Sequence, residues 1–106
     1  MGFNMQKLMK QAQKMQADMA KKQEELKDIT VEGSAGGGMV KAVVNCRQEL
    51  ISLSIAPEIV DPEDVELLED MVVAAVKEAL ALSQERSAQE LQKITGGMNL
   101  PGMGMF

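Results

Sequence analysis

Between Gly33 and Lys41 the chain reads Gly-Ser-Ala-Gly-Gly-Gly-Met-Val-Lys. Four glycines within six residues let the backbone reach positive φ without steric penalty, so the stretch is read as a turn. The run Met39-Val40-Lys41-Ala42-Val43-Val44 follows at once and is β-type, so the turn feeds a strand and not a helix. That order weighs against a phosphate-cradling loop, which needs a helix N-terminus behind it to present free N–H groups. The G-x-G-x-x-G spacing and a closing Gly-Lys-Ser/Thr are both missing. A hairpin turn therefore divides the chain into a helical pattern before it and strands plus a second helix after it.

Residues 4–27 read as the first helix. Met5, Leu8, Ala12, Met15, Met19, Lys22 and Leu26 fall at alternating steps of three and four, the spacing of a packed helical seam. Lys22 alone breaks the apolar pattern, and its alkyl stem can lie along the seam with the ammonium in water. The run holds no Gly or Pro and is rich in good helix formers. Lys7, Lys10, Lys14 and Lys21 fall away from the seam. Two readings fit them: a solvated outer face, or a face that binds a polyanion. The second draws on the absence of any acid before Asp18, because solvated faces usually mix signs. The methionines Met5, Met9, Met15 and Met19 likewise fit either packing against a neighbouring helix or an adaptable groove for a partner peptide.

Asp28–Glu32 alternates, with Ile29 and Val31 on one face, and reads as a short first strand. In the second, Val40, Ala42 and Val44 share a face opposite Lys41. Asn45-Cys46-Arg47-Gln48 reads as a further turn. Leu50–Ile55 is the third strand, with Ile51, Leu53 and Ile55 on one side and Ser52 and Ser54 on a solvated other side. Short turns between three strands imply an antiparallel meander. Pro57 ends it. Asp61-Pro62-Glu63-Asp64 then reads as a helix start with Asp61 at the N-cap and Pro62 at the first helical position. Acids in a first turn favour the helix dipole, which accounts for the acidic cluster without a metal. A broad stripe of Leu68, Met71, Val72, Ala75, Val76, Ala79, Leu80 and Ser83 continues more thinly through Ser87, Leu91 and Ile94. The polar run Ser83–Glu90 suggests that the helix outruns its own core and projects, or packs on a partner. Gly96-Gly97 stops it.

The fold class that results is α+β in one domain, residues 1–96: a long N-terminal helix, a three-stranded antiparallel meander and a long C-terminal helix. Residues 97–106, rich in Gly, Met and Pro, read as a flexible tail. The only aromatic residues are two Phe, so the core must be aliphatic, and a small aliphatic core makes self-association a natural remedy. One cysteine permits no internal disulfide and fits a reducing compartment. The longest apolar run, Met71–Val76, is too short to cross a bilayer, and the first residues carry no signal-peptide pattern. The expectation is a cytoplasmic chain without a membrane partner.

Net charge is −5, yet it is unevenly spread. Residues 1–23 carry five lysines against Asp18, a net of +4, while residues 58–70 carry seven acids and no base. One end suits a polyanion and the other repels it. Catalytic equipment is missing: there is no His, Trp or Tyr, Cys46 has no imidazole to activate it, and no His/Cys set exists for zinc. The reading is a binding or architectural protein, not an enzyme, with no cofactor, metal or small-molecule substrate.

The order of motifs resembles the YbaB/EbfC family of bacterial nucleoid-associated DNA-binding proteins. The resembling residues are Met9-Lys10-Gln11-Ala12-Gln13-Lys14-Met15-Gln16, Gly37-Gly38-Met39-Val40-Lys41-Ala42, Ile55-Ala56-Pro57 running into Asp61-Pro62-Glu63-Asp64, and Leu68-Glu69-Asp70-Met71-Val72-Val73-Ala74-Ala75. They cover nearly the whole chain. The resemblance implies a helix, three strands and a helix, a tweezer-shaped homodimer with projecting helical arms, and binding of double-stranded DNA in the nucleoid with a role in gene regulation. It departs at the second hairpin, where the family often has Asn-Gly and this chain has Asn45-Cys46-Arg47.

Carried to this chain, the binding arms are the first helix and the distal part of the last. The candidate DNA-binding residues are Lys7, Lys10, Lys14 and Lys21, joined by Arg86 and Lys93. Six such contacts from two arms imply a loss of roughly a thousandfold in affinity between 50 and 200 mM salt. Lysines position a protein on phosphates and specify bases poorly, so broad, salt-sensitive binding is expected. The alternative is a protein-interaction adaptor that uses the methionine seam and the apolar tail residues Leu100, Met103, Met105 and Phe106.

Overall fold

The computed structural model describes residues 4–95. The tail 97–106 and the glycine stop at Gly96-Gly97 lie outside the described residues. Along the chain come α1 (Met5–Leu26), β1 (Thr30–Ala35), β2 (Val40–Asn45), β3 (Leu50–Ile55), a short 3₁₀ turn at Pro57–Ile59, and α2 (Val65–Thr95). The sheet is antiparallel in the order β1-β2-β3, as a meander requires. The molecule is elongated, with principal extents of 76 × 27 × 16 Å.

The period-two pattern of β2 sets the core. Val40, Ala42 and Val44 are fully buried, and Lys41 between them is exposed. Register places Ala35, Gly33 and Val31 beside them on β1, and Ile55, Leu53 and Leu50 beside them on β3. Onto this face α2 lays Ala75 and Ala79, both wholly buried, with Met71, Val72, Val76 and Leu80 around them. Small residues at the crossing let the helix come down close. A Cβ on Gly33 would overlap the backbone of Ala75 and Ala79, so only glycine fits there.

Three boundaries differ from the sequence reading. First, β1 does not stop at Glu32 but runs from Thr30 to Ala35, taking in Gly33, Ser34 and Ala35. Gly33 has no positive φ and serves the close approach of α2; only Gly36, Gly37 and Gly38 turn the chain, at φ of 63°, 66° and 93°. Second, α2 begins after Asp64, not Asp61. The Asp64 carboxylate accepts the Leu67 N–H at 3.3 Å, while Asp61 accepts the Glu63 N–H at 2.9 Å and shapes the turn before the helix. Both are acceptors near free N–H groups, and the one nearer the regular run became the cap. Third, a bulge between Val43 and Val44 pairs Leu50, not Ile51, with Val44, so Leu50 joins Leu53 and Ile55 on the helix side.

The β2–β3 turn is built around a buried asparagine. Asn45 Oδ1 accepts from the N–H groups of Arg47 (2.9 Å) and Glu49 (3.0 Å), and Nδ2 donates to Glu49 Oε1 at 2.7 Å. Gln48 takes φ of 67°, the left-handed conformation that closes the loop between Asn45 and Leu50. This is how the chain makes the hairpin without Asn-Gly. Cys46 is buried, and its N–H reaches the carbonyls of Ile29 (2.9 Å) and Leu26 (3.1 Å), tying this corner to the end of α1.

Candidate nucleic-acid interface

α1 starts on Asn4, whose side chain accepts the Lys7 N–H at 3.2 Å. Twenty-two helical residues make a rod of about 33 Å. Only its second half meets the body: Leu26 is buried and Lys22, Met19 and Met15 are half-buried. Every residue from Asn4 to Lys14 is exposed. Ile94 near the end of α2 lines a shallow hollow of about 300 Å³ with Gln11, Lys14, Met15 and Asp18. Lys22 meets Glu90 further back, so the two helices run antiparallel and the first turns of α1 extend past that hollow. The expected seam is thus covered at Met15, Met19, Lys22 and Leu26 but open at Met5, Leu8 and Ala12.

Lys7, Lys10, Lys14 and Lys21 are all exposed, and among the described residues none of them enters an ion pair. At 3.6 residues per turn they fall within an arc of about 60°, roughly 120° around the helix from the line through Met15, Met19, Lys22 and Leu26. From Lys7 to Lys21 the row is about 21 Å long. It is a strip of ammonium groups on one side of a helix, interrupted in sign only by Asp18 on a neighbouring face.

Arg86 and Lys93 sit differently. Both turn to Glu90: Arg86 Nε is 3.1 Å and Lys93 Nζ 2.9 Å from Oε2, and Lys22 Nζ is 2.8 Å from Oε1. Glu90 is 5% exposed, so three cations converge on one desolvated carboxylate. The hydrogen bond from Lys22, then those from Lys93 and Arg86, outweigh burial and hold the carboxyl down at about 2. The Glu90 hydrogen bond in turn raises the Lys22 ammonium above its ordinary value, against desolvation. Burial pushes the neighbouring Cys46 thiol up; Arg86 draws it down and Glu90 adds to the rise. A raised thiol pKa makes a poor nucleophile.

The sequence reading missed Glu90, although its position carried a signal. It lies seven residues beyond Ser83, three beyond Ser87 and four before Ile94, all on the apolar stripe. An acid on that stripe and a lysine on the facing seam of α1 are the pattern of a cross-helix ion pair.

A second surface is apolar. α2 covers β1 and β2, while β3 at the sheet edge keeps Leu50 (53%), Ile51 (55%) and Leu53 (41%) exposed. Val73 on α2 is also exposed. No helix among the described residues is long and apolar enough to cross a membrane, and no cluster of three or more His, Cys, Asp or Glu there could hold a metal ion.

The YbaB/EbfC DNA-binding family matches this chain over residues 1–98. Nucleoid-associated proteins of Desulforamulus reducens and Pelotomaculum thermopropionicum are 59% and 55% identical to it over 103 residues, in each case 97% of this chain and 98% of the relative. One from Caldanaerobacter subterraneus is 58% identical over 102 residues, covering 96% of this chain and 92% of its own. A crystal structure of an uncharacterized protein from Helicobacter pylori superposes with a TM-score of 0.75 over 88% of this chain and 98% of that one; at 22% identity it shows the shared fold. The chain belongs to the YbaB/EbfC DNA-binding family.

Proposed function

We propose that the chain is a nucleoid-associated protein that binds double-stranded DNA as a homodimer, through phosphate contacts made by α1. The observation that carries this reading is the row Lys7, Lys10, Lys14 and Lys21: exposed, on one side of a projecting helix, and without an anionic partner among the described residues. Duplex DNA presents about one charge per 1.7 Å of axis, so a row of ammonium groups gains by releasing condensed counterions. The row offers no planar amide or guanidinium to read base edges, which favours broad binding in which phosphates set affinity. Such binding suits the organisation of a nucleoid and, through it, gene regulation.

The second copy is argued from β3. An exposed edge strand carrying Leu50, Ile51 and Leu53 is a surface that soluble proteins normally cover. Pairing two copies across it joins the two sheets into one body with an α1 arm from each side, the tweezer arrangement. Two arms place two lysine rows on one duplex.

The experiment is a mobility shift of a duplex at low salt. The wild-type chain binds, and the variant with Lys7, Lys10 and Lys14 changed to Glu does not. Unchanged binding by that variant rejects the row as the site, and absence of wild-type binding rejects the function. The adaptor reading draws on Met5, Leu8 and Met9, each at least half exposed at the start of α1; retention of a protein partner by a chain that shows no duplex binding would favour it.

A further inference from the structure

The six candidate cations divide into two sets. All six are exposed, but those on α1 enter no ion pair among the described residues. Arg86 and Lys93 are held on Glu90, at 3.1 and 2.9 Å, and Lys22 closes the third side at 2.8 Å while also lying 3.4 Å from Glu25. Resting on the DNA-binding reading above, we propose that Glu90 is an internal counter-anion that withdraws Arg86 and Lys93 from the phosphate-binding set and leaves the duplex to Lys7, Lys10, Lys14 and Lys21.

The physical asymmetry lies in what each cation must give up. A free lysine on α1 exchanges water and loosely held ions for a phosphate. Arg86 or Lys93 must be drawn off a carboxylate that is almost wholly out of water, and stripping partners from a buried charge is strongly unfavourable. Glu90 itself touches no DNA in this scheme. It is a positioning residue: through Lys22 it joins α2 to the root of the α1 arm, and through Arg86 and Lys93 it fixes which side chains face outward.

The test is the slope of log affinity against log salt for a random-sequence duplex, with the full-length chain. The double variant Arg86→Gln/Lys93→Gln is expected to keep the wild-type slope, whereas Lys10→Gln lowers it by about 0.9 per protomer. Glu90→Gln releases the two cations and steepens the slope by up to about 1.8 per protomer. Combining Glu90→Gln with Arg86→Gln and Lys93→Gln returns the slope to the wild-type value, a reversal that loss of a purely structural contact does not produce. A slope that falls in the Arg86→Gln/Lys93→Gln variant as it does for Lys10→Gln overturns the proposal, as does an unchanged slope in folded Glu90→Gln. Should Glu90→Gln fail to fold, the double variant decides alone. A wild-type chain with no salt-dependent binding overturns the DNA-binding reading itself, a result distinct from a slope carried by Arg86 and Lys93.

Discussion

Gly33 of β1 lies directly under the backbone of Ala79 in α2, with no room between them for a side chain. The contact sets the depth at which the long helix sits on the sheet, and it requires a residue without a Cβ. The atoms it would strike are backbone, which cannot swing aside. Gly33→Ala is therefore expected to lower stability by about 1–3 kcal/mol or more through overpacking, read as a shift in the urea midpoint. The φ of Gly33 is not positive, so a backbone explanation is not available and a neutral result would count against the close packing.

The Glu90 cluster gives the fold an acid-sensitive joint. Its carboxyl titrates near 2 in the folded chain against an ordinary 4.5. A depressed acid contributes stability that is present above about 4.5 and is lost as pH falls towards 2. Lys22 is raised, so its contribution holds below 10.5 and is lost only above that, as pH rises through its folded value. Urea midpoints measured across the acid range are expected to fall less steeply in Glu90→Gln than in the wild type. Parallel curves would mean that the pairs of Glu90 carry no stability.

Gln48 holds a left-handed conformation, at φ of 67°, that side chains adopt at a penalty of roughly 1–2 kcal/mol. Glycine removes that penalty and adds unfolded-state entropy worth about 0.5–1 kcal/mol against it. Gln48→Gly is thus expected to stabilise the chain by up to about 1 kcal/mol. Thermal unfolding of the two chains at one protein concentration checks it; a lower melting temperature for the variant would contradict the turn geometry.

Leu53 is 41% exposed on the helix side of the edge strand β3, beyond the part of the sheet that α2 covers. Leu53→Glu is expected to leave the single chain folded while abolishing self-association, since a charge there has water in the monomer and none in the pair. Sedimentation velocity distinguishes the outcomes. A variant that still sediments as a dimer moves the interface away from β3.

Periodicity carried most of the fold. The alternation of Val40, Ala42 and Val44 and the stripe from Leu68 to Ser83 named the buried faces because each element packs one side only. Where one residue type serves two physical ends, the sequence was ambiguous. Glycine marks a turn at Gly36 and a close approach at Gly33. Asp61 and Asp64 both cap nearby N–H groups, and only the backbone path decides which one opens the helix. The bulge at Val43/Val44 is invisible to alternation, because one extra residue exchanges Ile51 for Leu50. The lysine row could be placed on one side of α1 from spacing alone. The division between free and paired cations needed the fold, since Lys22 and Glu90 are 68 residues apart in the chain.

Phosphate contact by α1 is the step on which the proposed binding depends. The salt dependence of duplex affinity, compared between the wild type and the variant Lys7→Gln/Lys10→Gln/Lys14→Gln, tests it most directly. A slope lower by about 2.7 per protomer is the predicted result, with the fold intact by circular dichroism. An intact variant that keeps the wild-type slope would contradict it.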